Sequence, residues 1–91
     1  MVPELIDIGV NLAHESFDLD RAEVLDRARA CGVGRMIITG SSERSSARAL
    51  DLAKTPAGRL FATAGVHPHH ASDYGPETSG SLRRLADHPR V

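Results

Sequence analysis

Three short apolar runs recur along the chain at close to the ~30-residue spacing of a strand–helix–strand unit. The first is Leu5-Ile6-Asp7-Ile8-Gly9-Val10, closed by Asn11. The second is Arg35-Met36-Ile37-Ile38-Thr39, running into Gly40-Ser41-Ser42, and the third is Leu60-Phe61-Ala62-Thr63-Ala64-Gly65-Val66. β-Branched content and glycine-bounded ends make each of them a strand. They are nearly continuous apolar stretches, the mark of a parallel sheet buried on both faces.

Between the strands the period becomes helical. Over residues 20–32, Val24, Leu25, Ala28 and Cys31 form an inner stripe, with Arg21, Glu23, Arg27 and Arg29 facing water. Asp18 or Asp20 caps this helix at its positive end, and Gly32 stops it. A second helix is expected over residues 43–55, capped by Ser41 or Ser42. Its narrow stripe is Ala47, Leu50 and Ala53, and Pro56 and Gly58 end it. A third, weaker helix centres on residues 81–87. Residues 11–18 and 67–80 read as polar loops, and Val91 stands where a fourth strand would begin.

The fold class is therefore α/β, with three strand–helix units of a parallel sheet. Eight such units would make a closed barrel of ~250 residues, and six strands would make an open doubly wound sheet. Three strands cannot have both faces covered by the helices available. The 91 residues are accordingly expected to be the N-terminal portion of one larger domain, unless the chain assembles with copies of itself. No repeat, low-complexity tract or linker interrupts them.

Composition narrows the function. Hydrophobic residues make up 41% and charged residues 25%, a soluble globular balance. Phe17, Phe61 and Tyr74 are the only aromatics, so the core is aliphatic. The net charge of −1 argues against loose, charge-driven attachment to nucleic acid, but is compatible with a cleft that grips a few phosphates. Cys31 is the only cysteine, which excludes an internal disulfide; its helical position predicts a buried thiol in a reducing compartment. There is no apolar run of membrane-spanning length and no signal-peptide pattern at the start, so a cytoplasmic chain is expected.

In either parallel architecture the site lies at the strand C-termini. Asp7 to Asn11, Thr39 to Ser42, and Gly65-Val66-His67-Pro68-His69-His70 converge there. The last is the most specific. His67 leaves a buried strand, and Pro68 is expected to hold an extended passage through which His67 and His69 point the same way, a familiar presentation of two imidazoles to a metal. The alternative for His69 and His70 is a solvent-exposed loop. Asp7, inside a strand, is costly to bury unless paired or metal-bound; its alternative partner is an arginine such as Arg35. Asn11 and Ser41 either bond a substrate oxygen or hold their own loops. Ser41 and Ser42 read first as helix caps, with an anion at that helix start as a further option. His14 and Glu15 carry no sharp signal. Cys31 lacks a nearby base and is rejected as a nucleophile.

Three stretches taken together resemble the opening of a TatD-type deoxyribonuclease. They are Asp7-Ile8-Gly9-Val10-Asn11-Leu12 followed by Phe17-Asp18-x-Asp20-Arg21, then Ile37-Ile38-Thr39-Gly40-Ser41, then Ala64-Gly65-Val66-His67-Pro68-His69. The resemblance implies an eight-stranded α/β barrel that hydrolyses phosphodiester bonds with divalent metals, of Mg or Zn type, and trims nucleic-acid strands from the three-prime end. Relatives in the wider superfamily carry two metal-binding histidines on the first strand, where this chain has Gly9 and Asn11. That variant implies metal ligands on later strands: a glutamate, two histidines and an aspartate beyond Val91. It implies a catalytic His67 and substrate contacts from Asp7, Asn11 and His69, and leaves the metal ligands unassigned. The expected partner is a nucleic-acid substrate and not a membrane, with self-association for a chain of this length. The expected activity of the 91 residues alone is nil. Two other readings remain open: a metal-dependent amidohydrolase acting on small molecules, and a non-catalytic fragment or assembly module.

Overall fold

Aliphatic strands in this chain bury one side against helices that are themselves short of large side chains. The computed structural model describes residues 3–55 and 58–91. Strands β1 (Leu5–Val10), β2 (Val33–Ile38) and β3 (Leu60–Ala62) pair in the order β1-β2-β3, all parallel. They alternate with helices α1 (Arg21–Ala30), α2 (Glu43–Ala53) and α3 (Thr78–Ala86). Short 3-10 turns occupy Glu15–Phe17 and Pro68–Asp73. The expected α/β alternation and parallel pairing are both present. Pro56, expected to end the second helix, lies outside the described residues.

Burial alternates along β2 and β3, in keeping with a three-stranded sheet whose helices cannot cover both faces. Met36, Ile38, Leu60 and Ala62 are buried, whereas Arg35 is exposed and Ile37 and Phe61 are half-buried. The buried set packs with Ala49 and Ala53 of α2 and against Val24, Leu25 and Ala28 of α1. The helices thus cover one face of the sheet. Ile38 is completely buried, worth about 1.5–3 kcal/mol relative to an exposed side chain.

β1 follows β2 with two irregularities that cancel. Leu5 pairs with Val33 but Ile6 with Arg35, and Asp7 pairs with Met36 but Val10 with Ile38. The net result sets Val10 beside the buried Ile38 and against the core. Upstream of Val10 the strand is open: Leu5, Ile6 and Ile8 are 55%, 45% and 78% exposed.

Several local expectations change. The loop after β1 is not wholly polar, because Leu12 and Ala13 are buried and Phe17 packs on the core. Arg21 holds that loop inward: its Nε donates to the Leu12 carbonyl at 2.8 Å, and Nη2 to the His14 carbonyl at 3.0 Å and to Asp18 at 2.7 Å. Asp20 is the N-cap of α1 but makes no side-chain cap bond, and Asp18 is spent on arginines instead. Cys31 is exposed, because α1 ends at Ala30 and Cys31 falls in the cap, ahead of Gly32 with its φ of 95°. Ser42 caps α2 in a reciprocal box with Ser45. The inner stripe of α2 is Ser46, Ala49, Leu50 and Ala53; Ala47 is half-buried and turns toward Ser81 and Leu85 of α3.

The third strand is shorter than expected, since ladder pairing stops at Ala62. Gly65 bonds through both its N–H and its carbonyl to the Ser46 hydroxyl, at 3.1 Å each, and so leaves the sheet for α2. α3 docks through the buried Thr78, whose hydroxyl accepts from the Gly75 N–H and donates to Glu43, both at 2.9 Å. Beyond α3, the Ala62 N–H donates to the Arg90 carbonyl at 2.8 Å. The chain thereby returns to the edge of β3 where a fourth strand was expected to begin.

Candidate functional site

The strand C-termini form one rim because the backbone stitches them together there. The Thr39 N–H donates to the Val10 carbonyl and the Thr63 N–H to the Ile38 carbonyl, each at 2.9 Å. The Gly40 N–H donates to the Thr63 hydroxyl at 3.0 Å. Gly40 has to be glycine: a Cβ there would sit 2.4 Å from the Thr63 carbonyl oxygen and would also strike Ser46.

His67 is the best-defined side chain of the rim. Its N–H donates to the Ser41 carbonyl at 2.8 Å, its carbonyl accepts the His70 N–H at 2.8 Å, and its Nδ1 accepts the His69 N–H at 3.0 Å. It is the N-cap of the Pro68–Asp73 turn. Pro68 therefore opens a 3-10 turn, correcting the extended passage expected of it. Proline suits that first position because its missing N–H has no partner to lose. Since Nδ1 accepts a backbone proton, the neutral ring carries its own proton on Nε2. While that bond is kept, Nε2 is a hydrogen-bond donor.

His69 sits beside His67, with ring centroids 4.5 Å apart in an edge-on arrangement. His70 is drawn aside toward Asp73, with 3.8 Å between Nδ1 and the carboxylate. Asp7 differs from expectation. It is exposed, its carboxylate accepts the Gly9 N–H at 3.0 Å, and the suggested partner Arg35 is bonded to Glu4 instead. No burial cost requires a metal or a cation at Asp7. Asn11 is exposed at the end of β1, and its carbonyl accepts the His14 N–H at 3.0 Å. Among the described residues, no hydrogen bond joins Asp7 or Asn11 to His67, His69 or His70.

A recess of about 270 Å³ opens between the β1 loop and the start of α2, with His14, Glu15, Ser41, Arg44, Arg48 and His70 in its lining. The sequence reading missed the arginines, which look like ordinary solvated helix positions. Arg48 reaches Asp18 at 3.0 Å, and the Arg21 and Arg48 guanidiniums hold the Asp18 carboxyl below the usual range, with the Arg21 hydrogen bond the larger cause. Among the described residues, no group of three or more histidine, cysteine or acidic side chains is arranged to hold a metal ion.

The chain is similar to known proteins over nearly all its length. It is 49% identical over 87 residues to the 3'-5' ssDNA/RNA exonuclease TatD of Erwinia amylovora, covering 96% of this chain and 34% of that protein. The same-named protein of Pantoea vagans is 48% identical, again over 96% and 34%. The chain thus spans about a third of the length of the curated relatives it matches. Among solved structures, YJJV, a TatD homologue from Escherichia coli K12, superposes with a TM-score of 0.85 at 25% identity, covering all of this chain and 35% of the other. A TatD family hydrolase from Entamoeba histolytica, 24% identical over 96% of this chain and 34% of that one, shares the fold with a TM-score of 0.82. The architecture is accordingly the first three strand–helix units of an α/β barrel. Residues 6–91 match the model of the family described as TatD related DNase, and the chain belongs to that family.

Proposed function

We propose that residues 1–91 are the N-terminal portion of a single barrel-type hydrolase domain that hydrolyses phosphodiester bonds in single-stranded DNA or RNA. The observation that carries this reading is His67, fixed by three hydrogen bonds to backbone groups in the segment that follows β3, with Nε2 left as a donor. A phosphodiester gathers negative charge on its oxygens as it is attacked, and a donor already held in place stabilises that charge without reorganising. His67 fills this role better than that of proton shuttle, because a proton on Nδ1 would face the His69 N–H.

His69 supports His67 through its N–H and its ring edge. Asn11 supplies an exposed amide at the mouth of the barrel. The Asp7 carboxylate would repel a phosphate, so its part in binding is to accept a hydrogen bond from a hydroxyl or amino group of the nucleotide. Divalent metals belong to this reading through the family resemblance. The described residues do not fit one: Nε2 of His67 carries a proton, and no three candidate ligands stand together among them. A cytoplasmic setting goes with the same reading; no described helix is long and apolar enough to cross a membrane. For the chain on its own, the exposed apolar edge of β1 favours association of copies.

The test is release of nucleotides from a three-prime-labelled single strand by a complete barrel carrying this segment. His67→Ala should lower turnover by about 10²–10⁴-fold. Turnover unchanged in that variant, at equal folded fraction, would sink the assignment.

A further inference from the structure

Ser46 is 1% exposed on the inner face of α2, a position where alanine would satisfy the helix and the packing alike. Its hydroxyl serves as both donor and acceptor. It donates to the Gly65 carbonyl and accepts the Gly65 N–H, both at 3.1 Å. It thus holds the two sides of one residue, at the point where the chain leaves β3. The Ser46 N–H in turn donates to the Ser42 carbonyl at 2.8 Å, tying the hydroxyl to the capped first turn of α2. Gly40 packs against Ser46 so closely that a Cβ there would strike it. Two residues past Gly65, the His67 N–H meets the Ser41 carbonyl at 2.8 Å.

We propose that Ser46 is the positioning residue for His67: by gripping Gly65 it sets the path of residues 63–67, and so fixes where the His67 ring stands and which of its nitrogens carries the proton. This rests on the reading of His67 as the working side chain of the site. Ser46 does not touch a substrate. It acts through the backbone, because Nδ1 meets the His69 N–H only while residues 65–67 keep their present course. The cap of this turn therefore depends on a hydroxyl in α2.

The test uses two built-in controls. His14 and His88 also accept a backbone N–H at Nδ1, from Ser16 at 3.0 Å and from Arg90 at 3.1 Å, and neither bond involves Ser46. Imidazole nitrogen shifts and amide exchange would be measured by NMR in the chain and in Ser46→Ala. The Gly65 amide should exchange about tenfold faster, as expected for loss of one hydrogen bond. The His67 nitrogens should move toward an even mixture of tautomers while those of His14 and His88 stay unchanged. Ser46→Cys keeps a weak donor of similar size; it should fall between the two, and it serves where Ser46→Ala does not fold. Loss of Gly65 protection with unchanged His67 shifts would overturn the proposal. So would equal movement of all three histidines, which would mean general loosening. Absence of nuclease activity from a complete barrel would refute the functional reading and leave this result standing.

Discussion

The Nδ1 of His67 accepts the backbone N–H of His69 at 3.0 Å, so the same imidazole caps the turn after β3 and turns Nε2 outward. The two roles separate by mutation. His67→Asn keeps a capping acceptor and should hold most of the stability, whereas His67→Ala should lose about 1 kcal/mol. Both should lose the activity of a complete barrel, because neither supplies the Nε2 donor. His69→Ala and His70→Ala should lose far less. Urea midpoints beside turnover check this, and full activity in His67→Asn would show that the ring serves the turn alone.

Gly40 and Gly65 both lie at strand ends, but the space around them differs. A Cβ on Gly40 meets the Thr63 backbone at 2.4 Å, whereas one on Gly65 comes no closer than 3.8 Å, to the Gly40 carbonyl. Gly40→Ala should therefore destabilise by about 1–3 kcal/mol, as overpacking does, and Gly65→Ala by much less. Denaturant unfolding decides between them, and equal losses would contradict the packing described.

Apolar periodicity was enough to read the strands, their parallel order and the helices between them, because β2, β3 and α2 share one aliphatic core to which α1 adds half-buried residues. The misreadings share a cause: side chains whose fate depends on tertiary partners. Leu12 sits among polar residues and is buried in the core, where Arg21 bonds its carbonyl. Cys31 kept the helical spacing but fell one residue past the end of α1. Ser46 was outside the stripe expected of α2, and only Gly65, nineteen residues on, gives it a purpose. His67 was legible because a polar ring after an apolar run and before a proline stands beyond the sheet's C-terminal edge, although β3 itself stops at Ala62 and not at Val66. The local capping role of its Nδ1 was not, since the 3-10 turn that creates it is set by the path of the chain.

The 91-residue chain by itself should release no nucleotides above background with any divalent metal. Fewer than three ligands rarely hold a catalytic ion, and no such group exists among the described residues. Metal-dependent release that follows the chain through successive purification steps would refute this.

Ile8 is 78% exposed on β1, beside the half-exposed Leu5 and Ile6. Apolar edge strands invite pairing, and charge on the edge prevents it. Ile8→Lys should shift the chain toward monomer in sedimentation velocity with little change in unfolding midpoint, since this side chain is not in the core. An unchanged distribution of species would place any association elsewhere.

Asp18 joins three elements by accepting from Arg21 of α1 at 2.7 Å and from Arg48 of α2 at 3.0 Å, while Arg21 also holds the Leu12 and His14 carbonyls. The two guanidiniums lower the folded-state pKa of this carboxyl, the Arg21 hydrogen bond contributing most. A lowered folded pKa means that the unfolded chain binds the proton more readily. The clamp is therefore fully present above the ordinary aspartate range of about pH 4, and it is lost as pH falls through the lower folded value. The side chain is half-exposed, so salt should weaken the effect as well. Urea midpoints of the chain and of Asp18→Asn should differ at pH 7 in low salt, converge below about pH 4, and approach each other in about 1 M salt. A gap that persisted or widened in acid would mean that Asp18 supports the loop through its shape and hydrogen bonds and not through its charge.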